Sequence, residues 1–390
     1  MKVRLKLLFL YLMKIVLKVF WLFPIKENRL IFYSHEGKSF SCNPKYIYLY
    51  LKNQAVNNFD FVWVLNKKQN IGDLEGVKQV KSKSLEFFYY LLTSKVIINN
   101  DIAPSYFPVR KSQCIIGTWH GGGSYKKWGI DVYNDSFNRK IFNTIADNVT
   151  YVSSSCKAFS DSLINACLID NKKILPIGMP RNDLLFNNSE NKISQIKEKL
   201  NIPAVCKVVL YAPTFRGVAD RINNSVVFKG VPFDYDVLVA SLNKRFSGEW
   251  TILFRAHHTL QECISPGEMI DVSSYPDMQE LLLISDVLIN DYSSSMWDFS
   301  LMKKPCFIYA DDIEEYSYTR GFYTPIDRWP FPIASTQEEL IQNIEQFDEE
   351  TYIKAVDKHH EELGSYETGT ATKTICKIIC DYCGVTLDEI

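Results

Sequence analysis

The chain has 390 residues, 46% hydrophobic and 23% charged, with a formal net charge of -1 at pH 7. That composition is globular, leaves room for two domains, and lacks the basic excess with which proteins bind nucleic acid. Ten cysteines are scattered through apolar runs such as Val205 to Val208, as expected of reduced, buried thiols in a cytosolic protein.

Residues 1–23 are apolar, with Lys2, Arg4, Lys6, Lys14 and Lys18 interspersed. A spanning helix needs about 20 mostly apolar residues, and Lys14 and Lys18 interrupt this one. A secretory leader would end in small residues, whereas this run ends in Trp21, Leu22, Phe23 and Pro24. The segment reads as a basic helix lying on an anionic membrane surface. The competing readings are a helix packed on its own domain and a signal anchor.

After Pro24 strands and helices alternate, which predicts a parallel sheet covered on both faces. Arg29 to Ser34 is a strand, His35 to Pro44 a polar loop, and a helix begins at Lys45. Phe59 to Leu65 and Ser94 to Ile98 are strands, with a helix over Leu85 to Leu92. The strand Cys114 to Thr118 runs into Trp119, His120, three glycines (121–123), Ser124, Tyr125, Lys126 and Lys127. Glycines at a strand's C-terminal end let the backbone approach a ligand, and ligands of open α/β sheets sit there. His120 is therefore a candidate general base, or else a histidine bonded to loop backbone. Tyr151 to Ser153 and Lys173 to Ile177 are strands around a helix from Ser155 to Cys167, and Gly178 to Asp183 is a turn bearing Arg181. A helix over Ile193 to Leu200 ends before Pro203, so a domain boundary is expected near residue 204.

The next strand, Lys207 to Tyr211, leads to Pro213, Thr214, Phe215 and Arg216; a planar guanidinium suits phosphate. Trp250 to Phe254 delivers Arg255, Ala256, His257 and His258. Adjacent strand residues face opposite ways, so one histidine, His257, is expected in the site. A metal is not expected, because no further ligand stands at suitable spacing. Met278 to Ile284 is a helix; Val287 to Ile289 is a strand that turns through Asp291, Ser293, Ser294 and Ser295 into another. Such a strand-to-helix turn suits an anion, although one of these residues could simply be an N-cap. After the strand Cys306 to Tyr309, residues 310–316 read as a solvated acidic turn and not a Mg²⁺ cage. Ser335 to Glu338 reads as a capping box. Cys376, Cys380 and Cys383 have an iron–sulfur-like spacing, but they share one helical face, as core residues do.

Several of these motifs together resemble the CDP-glycerol glycerophosphotransferase family of teichoic-acid and capsule polymerases. They are Asp286 to Ser294, Lys304-Pro305, Arg320 to Tyr323, the loop Gly37 to Lys45, Gly178 to Asp183, Tyr211 to Arg216, and Arg255 with His257. Trp119, His120, Gly121, Lys126 and Lys127 match the family's pattern, whereas Gly122-Gly123 replace its Thr-Pro. The resemblance spans roughly residues 25–375. It implies an α/β fold of two Rossmann-like domains facing across a cleft (GT-B): residues 25–204 on the acceptor side and 205–390 binding the CDP donor, the last helix free to pack back on the first domain. Residues 1–24 would be the membrane-interface helix.

By that resemblance a polyol phosphate, glycerol phosphate first among candidates, passes from a CDP-activated donor to a hydroxyl of a lipid-linked or growing polymer. CMP is released at the cytoplasmic face of the membrane, with no cofactor. His120 and His257 would be catalytic. Thr214, Arg216, Arg255, Asp291, Ser293, Ser294 and Arg320 would hold the donor; Gly121, Lys126, Lys127, Arg181, Asn182 and Asp183 would lie on the acceptor side. A GT-B glycosyltransferase using a sugar nucleotide and an inactive scaffold of a polymer-assembly complex are the alternatives.

Overall fold

The computed structural model describes residues 2–54, 59–213, 233–256 and 267–385. Its chain divides into two compact units: Met1–Gly122 with Trp128–Asp183 and Gly364–Ile390, and Gly123–Lys127 with Leu184–Leu363. Each unit is built on one parallel sheet.

In the first unit the strands are β1 (Lys26–Tyr33), β2 (Asp60–Val64), β3 (Lys78–Val80), β4 (Ser94–Asn99), β5 (Cys114–Gly117), β6 (Tyr151–Ser154) and β7 (Ile174–Pro176), ordered 3-2-1-4-5-6-7. Ile31 lies opposite Val62 on one side and Ile97 on the other. All three are fully buried, which is why these strands read as unbroken apolar runs and not alternating ones. One layer of the core joins Phe32, Tyr48 and Trp63 to Ile375, Cys376 and Ile379 of the C-terminal helix Ala371–Cys383. Cys376 and Cys380 are therefore core residues, in keeping with their shared helical face.

The second unit contains β8 (Lys207–Tyr211), β9 (Trp250–Phe254), β10 (Ile270–Asp271), β11 (Val287–Asn290), β12 (Cys306–Tyr309) and β13 (Ile333–Ala334), ordered 10-9-8-11-12-13. In both sheets the strand order reverses once, between β1 and β4 and between β8 and β11. The loops leaving those strands open a crevice at the carboxyl edge, where ligands of such sheets bind.

Some local expectations are corrected. The helix Glu190–Lys199 joins the second unit, so the division falls at Asp183/Leu184 and not near residue 204. Its one fully buried residue is Ile196, and Lys192 pairs with Glu280 at 3.1 Å. Packing, not the Pro203 punctuation, decides where it belongs. The acidic stretch is not a turn throughout: Ile313–Thr319 is a helix. The capping box is shifted by one residue, because Thr336 accepts from Glu339 N–H while the Glu339 carboxylate takes the N–H and hydroxyl of Ser335.

At the N-terminus a helix, Lys2–Leu17, continues into a 3-10 turn, Lys18–Leu22. The turn is tied down: Trp21 Nε1 donates to the Pro108 carbonyl, and Arg110 to that of Phe20. The helix nevertheless leaves Leu5, Leu8, Phe9, Leu12, Ile15 and Val16 exposed in one stripe. Among the described residues no helix is long and apolar enough to cross a membrane.

Candidate active site

At the reversal point of the first sheet, β1 ends beside His35, β4 runs into Asn100 and Asp101, and β5 runs into Trp119 and His120. The β5 loop is clamped from two sides. Thr118 donates its N–H and its hydroxyl to the Asn99 carbonyl. Asn43, fully buried, donates to the carbonyls of Thr118 and Trp119 and accepts the N–H of Arg181. Trp119 adopts φ 52°, a left-handed conformation that a bulky residue takes only under constraint. Its ring stacks on His120 at 4.4 Å and lies 4.3 Å from the Trp128 ring.

This scaffold fixes the His120 imidazole. Nδ1 lies 3.0 Å from the Asn100 carbonyl oxygen. A carbonyl can only accept, so Nδ1 carries the proton and Nε2 keeps its lone pair. Burial among protein atoms pushes the His120 pKa below its usual value; Asp101 and the hydrogen bond to the Asn100 carbonyl oppose this, while His35 and Arg181 push the same way as burial. With 43% of the side chain exposed, water weakens the effect of burial, and an ordinary imidazole is itself mostly neutral at pH 7. The ring is thus neutral near pH 7, as a general base must be. The Asp101 carboxylate, 3.9 Å from Nδ1, is placed to stabilise the imidazolium once a proton is taken.

Asn100 also holds the second imidazole of this edge. Its side-chain oxygen accepts the N–H of His35, and its Nδ2 lies 3.1 Å from His35 Nε2. The two histidine rings are 5.9 Å apart. His35, Asn43, Asn100 and Asp101 did not emerge from sequence as site residues. The polar run Asn99, Asn100, Asp101 directly after a β-branched strand was the readable signal.

The residues expected on the acceptor side separate. Gly121 and Arg181 are buried in the first unit, and the Arg181 charge acts on His120. Asn182 and Asp183 serve the fold. Asn182 Nδ2 donates to Glu367, and the Asp183 carboxylate accepts the N–H groups of Ala371 and Thr372, capping the C-terminal helix. Lys126 and Lys127 belong to the second unit.

In that unit β11 ends at Asn290, whose Nδ2 donates to the Ser293 carbonyl and the Ser295 hydroxyl. Asp291 accepts the Ser293 N–H, and Ser295 bonds back to the Ser293 hydroxyl. The helix that follows, Ser295–Ser300, is only six residues long, and Ser294 provides no side-chain cap. The turn is therefore held by its own hydroxyls, and a helix this short contributes little dipole. Lys126 supplies charge beside it, within electrostatic reach of both Asp291 and Arg320. Arg255 Nη1 donates to the Tyr275 carbonyl, with Asp277 nearby. Thr214, Arg216, His257 and His258 lie outside the described residues. Among the described residues no group of three His, Cys, Asp or Glu side chains could hold a metal.

The family model described as CDP-Glycerol:Poly(glycerophosphate) glycerophosphotransferase matches residues 15–381. The chain belongs to this glycerophosphotransferase family. It is 30% identical over 379 residues to a teichoic acid poly(glycerol phosphate) polymerase of Bacillus spizizenii, covering 93% of this chain and 94% of that one. It is 32% identical to the polymerase of the same name from Bacillus subtilis, covering 84% of this chain but 45% of the relative, so it spans about half of that longer protein. Among solved structures, the wall teichoic acid polymerase TagF in a CDPG-soaked variant superposes with a TM-score of 0.79 at 29% identity, covering 92% of this chain and 90% of that one. Family membership and the parallel α/β fold thus agree with what the motifs implied.

Proposed function

We propose that this glycerophosphotransferase-family chain transfers a polyol phosphate, glycerol phosphate first among candidates, from a CDP-activated donor to an acceptor hydroxyl of a lipid-linked or growing cell-surface polymer. The acceptor oxygen bonds to the β-phosphorus, the bond from that phosphorus to CMP breaks, and the hydroxyl proton passes to His120 Nε2. The observation that carries this reading is the His120–Asn100 hydrogen bond, which leaves Nε2 as the basic nitrogen. By motif, Thr214, Arg216 and His257 hold the donor's diphosphate with Ser293 and Arg320, and His257 bears on the phosphoryl group. Asp101 supports the charge that His120 acquires.

The reading extends to architecture and location. We infer a GT-B arrangement of two Rossmann-like units facing across a cleft; the single order reversal in each sheet supports the Rossmann-like reading of each unit by itself. The N-terminal segment lies on the anionic cytoplasmic face of the membrane. Its exposed stripe of Leu8, Phe9, Leu12 and Val16, interspersed with Lys6, Lys14 and Lys18, supports this placement.

The test is CMP release from CDP-glycerol and CDP-ribitol in the presence of a polyol-phosphate oligomer, with the linkage of the product identified by mass and ³¹P spectra. CMP release with a new phosphodiester is the expected result. A glycosidic product made from a sugar nucleotide would overturn the reading.

A further inference from the structure

Segment 123–127 leaves the first unit's His120 loop and is built into the second unit. Its tether is a short antiparallel ladder. Lys126 bridges Phe322, Lys127 N–H donates to the Gly321 carbonyl, and Tyr323 N–H donates to that of Tyr125 at 2.7 Å. Thr324 and Arg320 add side-chain bonds to the carbonyls of Ser124 and Lys127. Tyr125 is the anchor: its side chain is 4% exposed, its hydroxyl meets His359 Nε2 at 2.9 Å, and its ring packs against Trp329. Neighbours in extended backbone point to opposite sides. With Tyr125 directed into the core, Lys126 is directed to the opposite side, where it is half-buried.

Phe322, the bridge partner of Lys126, packs on Tyr292 with ring centroids 5.6 Å apart, and Tyr292 is the residue after Asp291. The ladder therefore sets Lys126 over the turn that leaves β11. Burial lowers the Lys126 ammonium to about 8, Asp291 raises it and Arg320 lowers it further. Lys126 and Arg320 thus bring two cations to the fully buried Asp291, while the carboxylate of Asp312 is taken up by the Tyr292 hydroxyl at 2.9 Å. Asp291 alone would repel a phosphate; beside Lys126 it serves as a counter-ion that keeps the ammonium in place.

We propose that Lys126, held by the ladder to residues 320–324 and steadied by Asp291, binds the donor's diphosphate and not the acceptor. This assignment rests on the CDP-donor reading above and departs from the acceptor-side role that the motif position implies. It also gives Asp291 a positioning role in place of direct donor contact.

Calorimetry with CDP-glycerol and with cytidine, together with acceptor KM, decides the matter in Lys126→Met and Lys126→Arg. The first should weaken CDP-glycerol binding at least about tenfold, as expected for a lost charge-assisted bond, with cytidine affinity, acceptor KM and Tm unchanged. The arginine variant should recover most of the donor affinity. Unchanged donor affinity with a raised acceptor KM would overturn the assignment. So would equal losses for CDP-glycerol and cytidine with a lowered Tm, which would mark a structural residue. A wild-type chain that binds no CDP-glycerol or CDP-ribitol would instead overturn the functional reading itself.

Discussion

The Asn100 carbonyl and the His120 ring meet at 3.0 Å, and this one bond selects the tautomer of the candidate base. The carbonyl belongs to the residue directly after β4, whereas His120 follows β5 by two intervening residues. Pairing of the two strands therefore sets the geometry of the base.

His120→Ala should reduce kcat by about 10²–10⁴-fold, the usual contribution of a general base, while CDP-glycerol affinity stays close to wild type. Asp101→Asn provides a finer check. Asp101 raises the His120 pKa, so removing its charge should shift the acid limb of the kcat/KM profile to lower pH while lowering the plateau. A limb that stayed in place or moved upward would show that Asp101 is not coupled to the base.

Gly123 stands in the pair that replaces the family's Thr-Pro, and its φ is +64°. A Cβ there would sit 2.5 Å from the Tyr125 ring and 3.0 Å from that of Trp297. Proline is confined near φ −65°, so Gly123→Pro should displace the whole 123–127 segment. Gly123→Ala should lower stability by about 1–3 kcal/mol through strain and overpacking, as read by urea denaturation. A neutral Gly123→Ala would mean that the loop relaxes freely.

His359 is 3% exposed and its pKa is pushed down to about 4 by burial. As pH falls below about 6.5 the unfolded chain takes up this proton before the folded one does. Its contribution is therefore harmless above 6.5 and destabilising from there down towards 4. At pH 5 the loss is about 2 kcal/mol relative to pH 7. Denaturation of wild type and His359→Gln at both pH values should show a smaller acid loss in the variant; equal losses would place the titration elsewhere.

Removing residues 1–23 should leave a folded chain that no longer pellets with anionic vesicles. Binding of the full chain should weaken with salt, since each basic residue near such a surface contributes about 1 kcal/mol. The exposed Leu8, Phe9 and Leu12 lie within the deleted segment, and the docked Trp21 goes with them. Equal pelleting of both forms would show that another surface carries the contact.

What the sequence determined by itself was local: apolar runs such as Leu30 to Phe32 and Val287 to Ile289 became buried parallel strands, and His120 stood at a strand's ligand end. Strand periodicity and βα turn chemistry act over a few residues, so they are written contiguously in the chain. The glycine pair at 122–123 was visible too, although not the left-handed φ of Gly123 or the ring of Trp297 against it. Only the tertiary structure decided which strand ends adjoin, and with that the meeting of His35, Asn100, Asp101 and His120. It likewise placed Lys126 beside Phe322 and gave helix Glu190–Lys199 to the second unit. These pairings join residues far apart in sequence through strand order and packing, and no local pattern of residues encodes a long-range order.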